Sequence, residues 1–98
     1  MVKHMIIWKL KDEISDKAAY TLKIKQALED LVGKIDGLLE MHIITGGLPS
    51  STGDLMMDST FSSADALAAY AVNPLHVAVA DGLVRPAVLS RAAYDYEI

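Results

Sequence analysis

The chain has 98 residues, no cysteine, and 13 acidic against 9 basic side chains, a formal charge of −4. This length suits one domain spanning residues 1–98, and the missing cysteine excludes a disulfide scaffold, thiol catalysis and thiolate metal sites. Mild acidity without a Lys/Arg run argues against nucleic-acid and membrane partners; no apolar stretch is long enough to span a bilayer and Met1–Lys11 is no secretory signal, so a cytoplasmic location is expected.

Met1–Leu10 alternates, with Val2, His4, Ile6, Trp8 and Leu10 on one face and Lys3, Met5, Ile7 and Lys9 on the other, and so predicts a strand. Ser15 is the expected N-cap of a helix carrying Tyr20, Ile24, Ala27, Leu28 and Leu31 at helical spacing, with Gly33 as its stop. Leu38–Thr45 predicts a second strand, Gly46–Gly53 a loose connection, and Asp54–Phe61 a third strand. Ser62 and Asp65 form a capping box for a short helix through about Ala71. Asn73-Pro74 then opens another helix, expected to stop near Gly82. The tail, Ala87–Ile98, alternates again, with Val88, Ala92, Tyr94, Tyr96 and Ile98 read as one face.

This order predicts an α+β, ferredoxin-like βαββαβ fold with a four-stranded antiparallel sheet and helices on one face. Even positions of the outer-sequence strands and odd positions of the middle two are then expected to face the helices. The opposite sheet face still carries Met5, Ile7, Leu38, Ile44, Met56, Leu89 and Ala93 among Lys3, Lys9, Glu40, His42, Asp58 and Arg91. Soluble monomers rarely expose such a patch, and a homodimer packed sheet against sheet would cover it. That also accounts for the 52% hydrophobic content of so small a chain. The competing expectation is a half-polar, solvated sheet.

His76 falls at the third position of the helix opened by Asn73, where the helix dipole disfavours imidazolium. Tyr70 lies across the kink at Asn73-Pro74, so a neutral His base and a carbonyl-polarising Tyr hydroxyl are candidates for one site. The structural alternatives are a backbone-bonded histidine and a core tyrosine. His4 points to the same interior if the helices cover its face. Asp95 is expected to reach a histidine only if strand alternation is locally broken, and Asp81 is read as helix-end surface. His4, His42 and His76 show no metal-binding spacing, and Gly46-Gly47 lacks the GK[ST] of a phosphate loop. No cofactor or metal site is predicted; haem binding through His76 is a third possibility, for which titrated haem should give a Soret shift that disappears in His76→Ala. Trp8 has no basic neighbours arrayed for stacking on single-stranded nucleic acid.

Three segments together resemble the stress-responsive A/B barrel domain family: Val2-Lys3-His4 through Trp8-Lys9-Leu10-Lys11-Asp12-Glu13, Tyr70 to Asn73-Pro74-Leu75-His76-Val77, and Asp95-Tyr96-Glu97. Leu31–Leu38 resembles the family's helix-to-strand passage, with Asp36 where Pro is common. The resemblance implies a dimeric α+β barrel. Plant polyketide cyclases similar to this family use Tyr and His at the positions of Tyr70 and His76, and a further His at that of His4. Leu55 departs from that pattern, which offers another His there. Two functional readings follow: a dimeric domain binding a small apolar ligand between sheet and helices without turnover, or a cofactor-independent lyase or cyclase. In the second, His76 is the base, Tyr70 the carbonyl-polarising donor and His4 an accessory group.

Overall fold

The computed structural model describes residues 1–98. Strand β1 (Val2–Leu10) is followed by helix α1 (Lys17–Glu29), strands β2 (Leu38–Ile44) and β3 (Leu55–Phe61), helices α2 (Ala64–Val72) and α3 (Pro74–Val79), and strand β4 (Val88–Glu97). The four strands form one antiparallel sheet in the order β2-β3-β1-β4. This is the expected ferredoxin-like arrangement, with β1 central and β4 at an edge.

The core lies between the sheet and the helices. Even residues of β1 (Val2, His4, Ile6, Trp8, Leu10) are buried, as are Met41 and Ile43 of β2 and the odd residues of β3. Ile24 and Leu28 of α1 close over them, one helical turn apart. Each large apolar side chain buried this way contributes about 1.5–3 kcal/mol.

The helix starts sit one residue later than expected. Asp16, not Ser15, caps α1 by accepting the Ala19 amide, and Ser63, not Ser62, caps α2 by accepting the Ala66 amide. Two eligible caps stand side by side in each case, and the cap is the one whose side chain reaches the free amide three residues on. Asn73 caps α3 through the Leu75 amide, with Pro74 in the first turn, as expected. Gly82 does not end that segment. The chain continues through a π-helical turn, Ala80–Val84, and a 3-10 turn, Arg85–Ala87. The Tyr20 hydroxyl donates to the Leu83 carbonyl at 2.6 Å, so α1 holds this irregular stretch in place.

Two β-bulges overturn part of the expected face assignment. In the β1–β4 ladder Lys9 opposes Ser90 but Leu10 opposes Val88, leaving Leu89 as an extra residue. Beyond the bulge the odd residues Arg91, Ala93 and Asp95 lie opposite Trp8, Ile6 and His4, on the helix side. Ala92, Tyr94 and Tyr96 therefore belong to the outer face, contrary to the simple alternation. In the β2–β3 ladder Leu38 opposes Phe61 and Glu40 opposes Thr60, with Leu39 as the extra residue. Leu38 is consequently core, 5% exposed, rather than outer-face. The outer face instead presents Met5, Ile7, Ile44, Met56, Ala92, Tyr94 and Tyr96, beside Lys3 paired with Asp58. The apolar patch persists with a different membership, and it gains two tyrosines.

Candidate functional site

A cavity of about 810 Å³ lies between the sheet and the α2–α3 segment. His4, Ile6 and Trp8 of β1, Met57 of β3 and Leu28 of α1 form part of its wall. Tyr70, His76, Ala80 and Val84 bound it from the helical side, and Arg91 and Asp95 from the edge strand. Its size falls within the range of small-molecule pockets, and its lining is mostly apolar with a few polar groups.

The kink at Asn73 joins Tyr70 to His76. Asn73 has an extended backbone, which ends α2 and re-aims the chain into α3. The two rings meet with centroids 4.1 Å apart and planes tilted by 32°. Tyr70 also packs edge-on to Phe61 at 4.9 Å. It is 1% exposed, and its hydroxyl makes no hydrogen bond within the protein. Burial drives the Tyr70 phenol well above its ordinary range, so it remains a proton donor throughout the physiological range.

His76 is half-buried, and its Nδ1–H donates to the Ala71 carbonyl at 3.3 Å. That bond leaves Nε2 as the proton acceptor of a neutral ring. Desolvation lowers the His76 pKa first, and the nearby Arg85 guanidinium and His4 lower it further against the Ala71 hydrogen bond. The neutral imidazole anticipated at this position is thus the favoured form, with burial rather than the helix dipole as the leading cause.

His4 is 8% exposed, and its Nδ1 pairs with Asp95 Oδ1. The carboxylate can only accept, so Nδ1 carries the proton and Nε2 is left without a protein partner. This pairing is the one that required broken alternation, and the Leu89 bulge supplies the break. Tyr70, His76 and His4 therefore line one cavity, and Asp95 joins them as an orienting carboxylate. His42 stands apart on the outer face beside Glu40, so the three histidines do not converge. Asp81 is surface, paired with Arg85. Leu55 is buried core. Arg85 carries no signal in the sequence, and Arg91, expected on the outer sheet face, instead reaches the cavity side because of a bulge that alternation does not reveal.

A family model described as Stress responsive A/B Barrel Domain matches residues 2–98, and the chain belongs to this family. Among solved structures, it is similar to a dimeric protein of unknown function and ferredoxin-like fold from Bacteroides fragilis. The two share 31% identity and a TM-score of 0.88 over 99% of this chain and 95% of that one. A dimeric ferredoxin-like protein of unknown function from Thermobifida fusca superposes with a TM-score of 0.84 at 19% identity, covering 99% of this chain and 90% of that one. An Arabidopsis thaliana protein superposes at 0.82 with 23% identity, over 100% of this chain and 95% of that one. These last two establish likeness of fold alone. No curated protein matches the chain.

Proposed function

We propose that this chain forms a homodimer through its outer sheet face and binds a small, largely apolar, carbonyl-bearing ligand in the cavity beside His76. The observation that carries the ligand reading is the Tyr70 hydroxyl, a buried donor with no protein acceptor, on the wall of an apolar cavity. Leaving such a group unpaired costs about 1–3 kcal/mol, which a ligand carbonyl would recover. The Bacteroides fragilis and Thermobifida fusca relatives are dimeric, which supports the assembly.

A medium-chain ketone such as 2-nonanone tests the pocket. Stabilisation follows ligand concentration and reaches about 2.7 kcal/mol at 100 times Kd, so the melting temperature of the protein rises with added ketone. Absence of any rise up to the solubility of the ketone refutes the pocket.

A second reading, a cofactor-independent lyase or cyclase, is supported by the pairing of a neutral base with a high-pKa donor. Nε2 of His76 would take a proton from the carbon beside the carbonyl, breaking that C–H bond. Tyr70 would hydrogen-bond to the enolate oxygen as its charge develops, and His4, oriented by Asp95, would supply a further hydrogen bond. The imidazolium returns its proton when the enolate carbon is reprotonated or the new carbon–carbon bond closes. In D2O, NMR should show protein-accelerated exchange of the hydrogens flanking the carbonyl of 2-nonanone, reduced about a hundredfold in His76→Ala. Equal exchange with and without the protein removes the catalytic reading and leaves the binding one.

A further inference from the structure

Both arginines of the chain, Arg85 and Arg91, line the cavity, and none of its lysines does. In a chain of net charge −4 this sets two guanidiniums against one carboxylate on the wall of the one large apolar cavity. The single carboxylate on the wall, Asp95, is engaged by His4. Arg85 is partnered by Asp81, which lies outside the cavity. Arg91 makes no ion pair. It stands directly opposite Trp8 on the helix side of the sheet, and it is there because of the extra residue Leu89. Both guanidiniums are on exposed residues, whereas Ile6, Trp8, Leu28 and Met57 are buried, so the cavity has a cationic rim and an apolar floor.

We propose that this cavity selects small amphipathic carboxylates, with the carboxylate on the Arg91–Arg85 rim and the hydrocarbon body against Ile6, Trp8, Leu28 and Met57. The proposal rests on the reading of the cavity as a ligand site and adds the charge class of the ligand. One guanidinium remains free of protein carboxylates, which matches a singly charged anion, and its planar fork fits a carboxylate in bidentate fashion. Screening is weaker at the mouth of a low-dielectric cavity than on open surface, so one such pair is enough to discriminate.

Trp8 is the only tryptophan and lines the cavity, so its emission reports occupancy directly. Three probes of one chain length, octanoate, 1-octanol and octylammonium, separate charge from apolar burial. Octanoate should bind about tenfold more tightly than 1-octanol, the worth of one charge-assisted contact, and octylammonium most weakly. Added salt should weaken octanoate and leave 1-octanol nearly unaffected. Arg91→Gln should remove most of the preference for octanoate, and Arg91→Lys should keep part of it.

Equal affinity for octanoate and 1-octanol overturns the proposal, as does a preference that survives in the Arg85→Gln/Arg91→Gln double variant. A loss that falls equally on all three probes in Arg91→Gln also overturns it, because it marks the arginine stem as mere packing on Trp8. The pocket reading fails separately: in that case 1-octanol too leaves Trp8 emission unchanged, whereas 1-octanol binding without a carboxylate preference defeats only the charge assignment.

Discussion

Gly37 shows how much a single residue can decide. Its φ is +83°, and a Cβ built there would lie 2.5 Å from the Ala66 Cβ and 3.0 Å from the Ser62 hydroxyl. The Gly37 carbonyl also accepts the Ser62 amide at 2.9 Å, tying the entry to β2 onto the start of α2. Gly37→Ala therefore combines left-handed strain with overpacking, and should destabilise the protein by about 2–4 kcal/mol in urea unfolding. Tyr70 predicts the opposite sign for a buried change. Its hydroxyl has no protein acceptor, so Tyr70→Phe should leave the ligand-free protein as stable as the wild type or more stable, by up to about 2 kcal/mol. A melting temperature lowered by several degrees would show that the hydroxyl is structural rather than reserved for a ligand.

At the scale of elements, the α2–α3 segment holds the titrating part of the site. The His76 pKa is lowered in the folded state, so between that value and the ordinary imidazole value the unfolded chain binds more protons. Stability contributed by the neutral ring is present above about pH 6.5 and declines as the pH falls through the folded pKa. Urea midpoints measured between pH 7.5 and 5 should fall in the wild type and flatten in His76→Gln. A second group acts lower on the scale. Burial raises the Glu29 carboxyl, but hydrogen bonds from Lys25 and from the Ile43 amide outweigh it and hold the pKa down. Its contribution is lost only as the pH drops below the ordinary carboxylate range, so the two windows separate. The π-helical turn belongs to this scale as well. It carries the chain past Gly82, and there the Tyr20 hydroxyl of α1 donates to the Leu83 carbonyl, a contact invisible to local propensity.

For the whole molecule, the outer face of the sheet is the feature that asks for a partner. Tyr94 is 72% exposed, and its ring centroid lies 6.0 Å from that of Tyr96 beside Met5 and Ile7. Aromatic and methionine side chains of this kind are enriched at protein interfaces. Sedimentation at micromolar concentration should return twice the chain mass, and Met5→Glu should shift it to the monomer while leaving the helix-side core folded. A wild-type monomer at that concentration would oppose the assembly. The cavity lies on the other side of the sheet, so the proposed dimerisation through the outer face would leave its helical wall in place.

The order and type of the elements, the Asn73-Pro74 kink and the presence of Tyr70, His76 and His4 around one interior were all legible in the chain. They are local properties: alternation, helical spacing, a cap followed by proline. The family follows from the same segments. Tertiary pairing decided the rest. Each bulge adds one residue to a ladder and reverses the faces beyond it, which moved Leu38 into the core, Tyr94 and Tyr96 to the outer face, and Arg91 and Asp95 to the cavity. Whether an extra residue is accommodated depends on the neighbouring strand, and no period-two pattern in one strand contains that information. The amino-acid pattern thus determined which strands and helices form, while strand pairing determined which charges meet the apolar cavity.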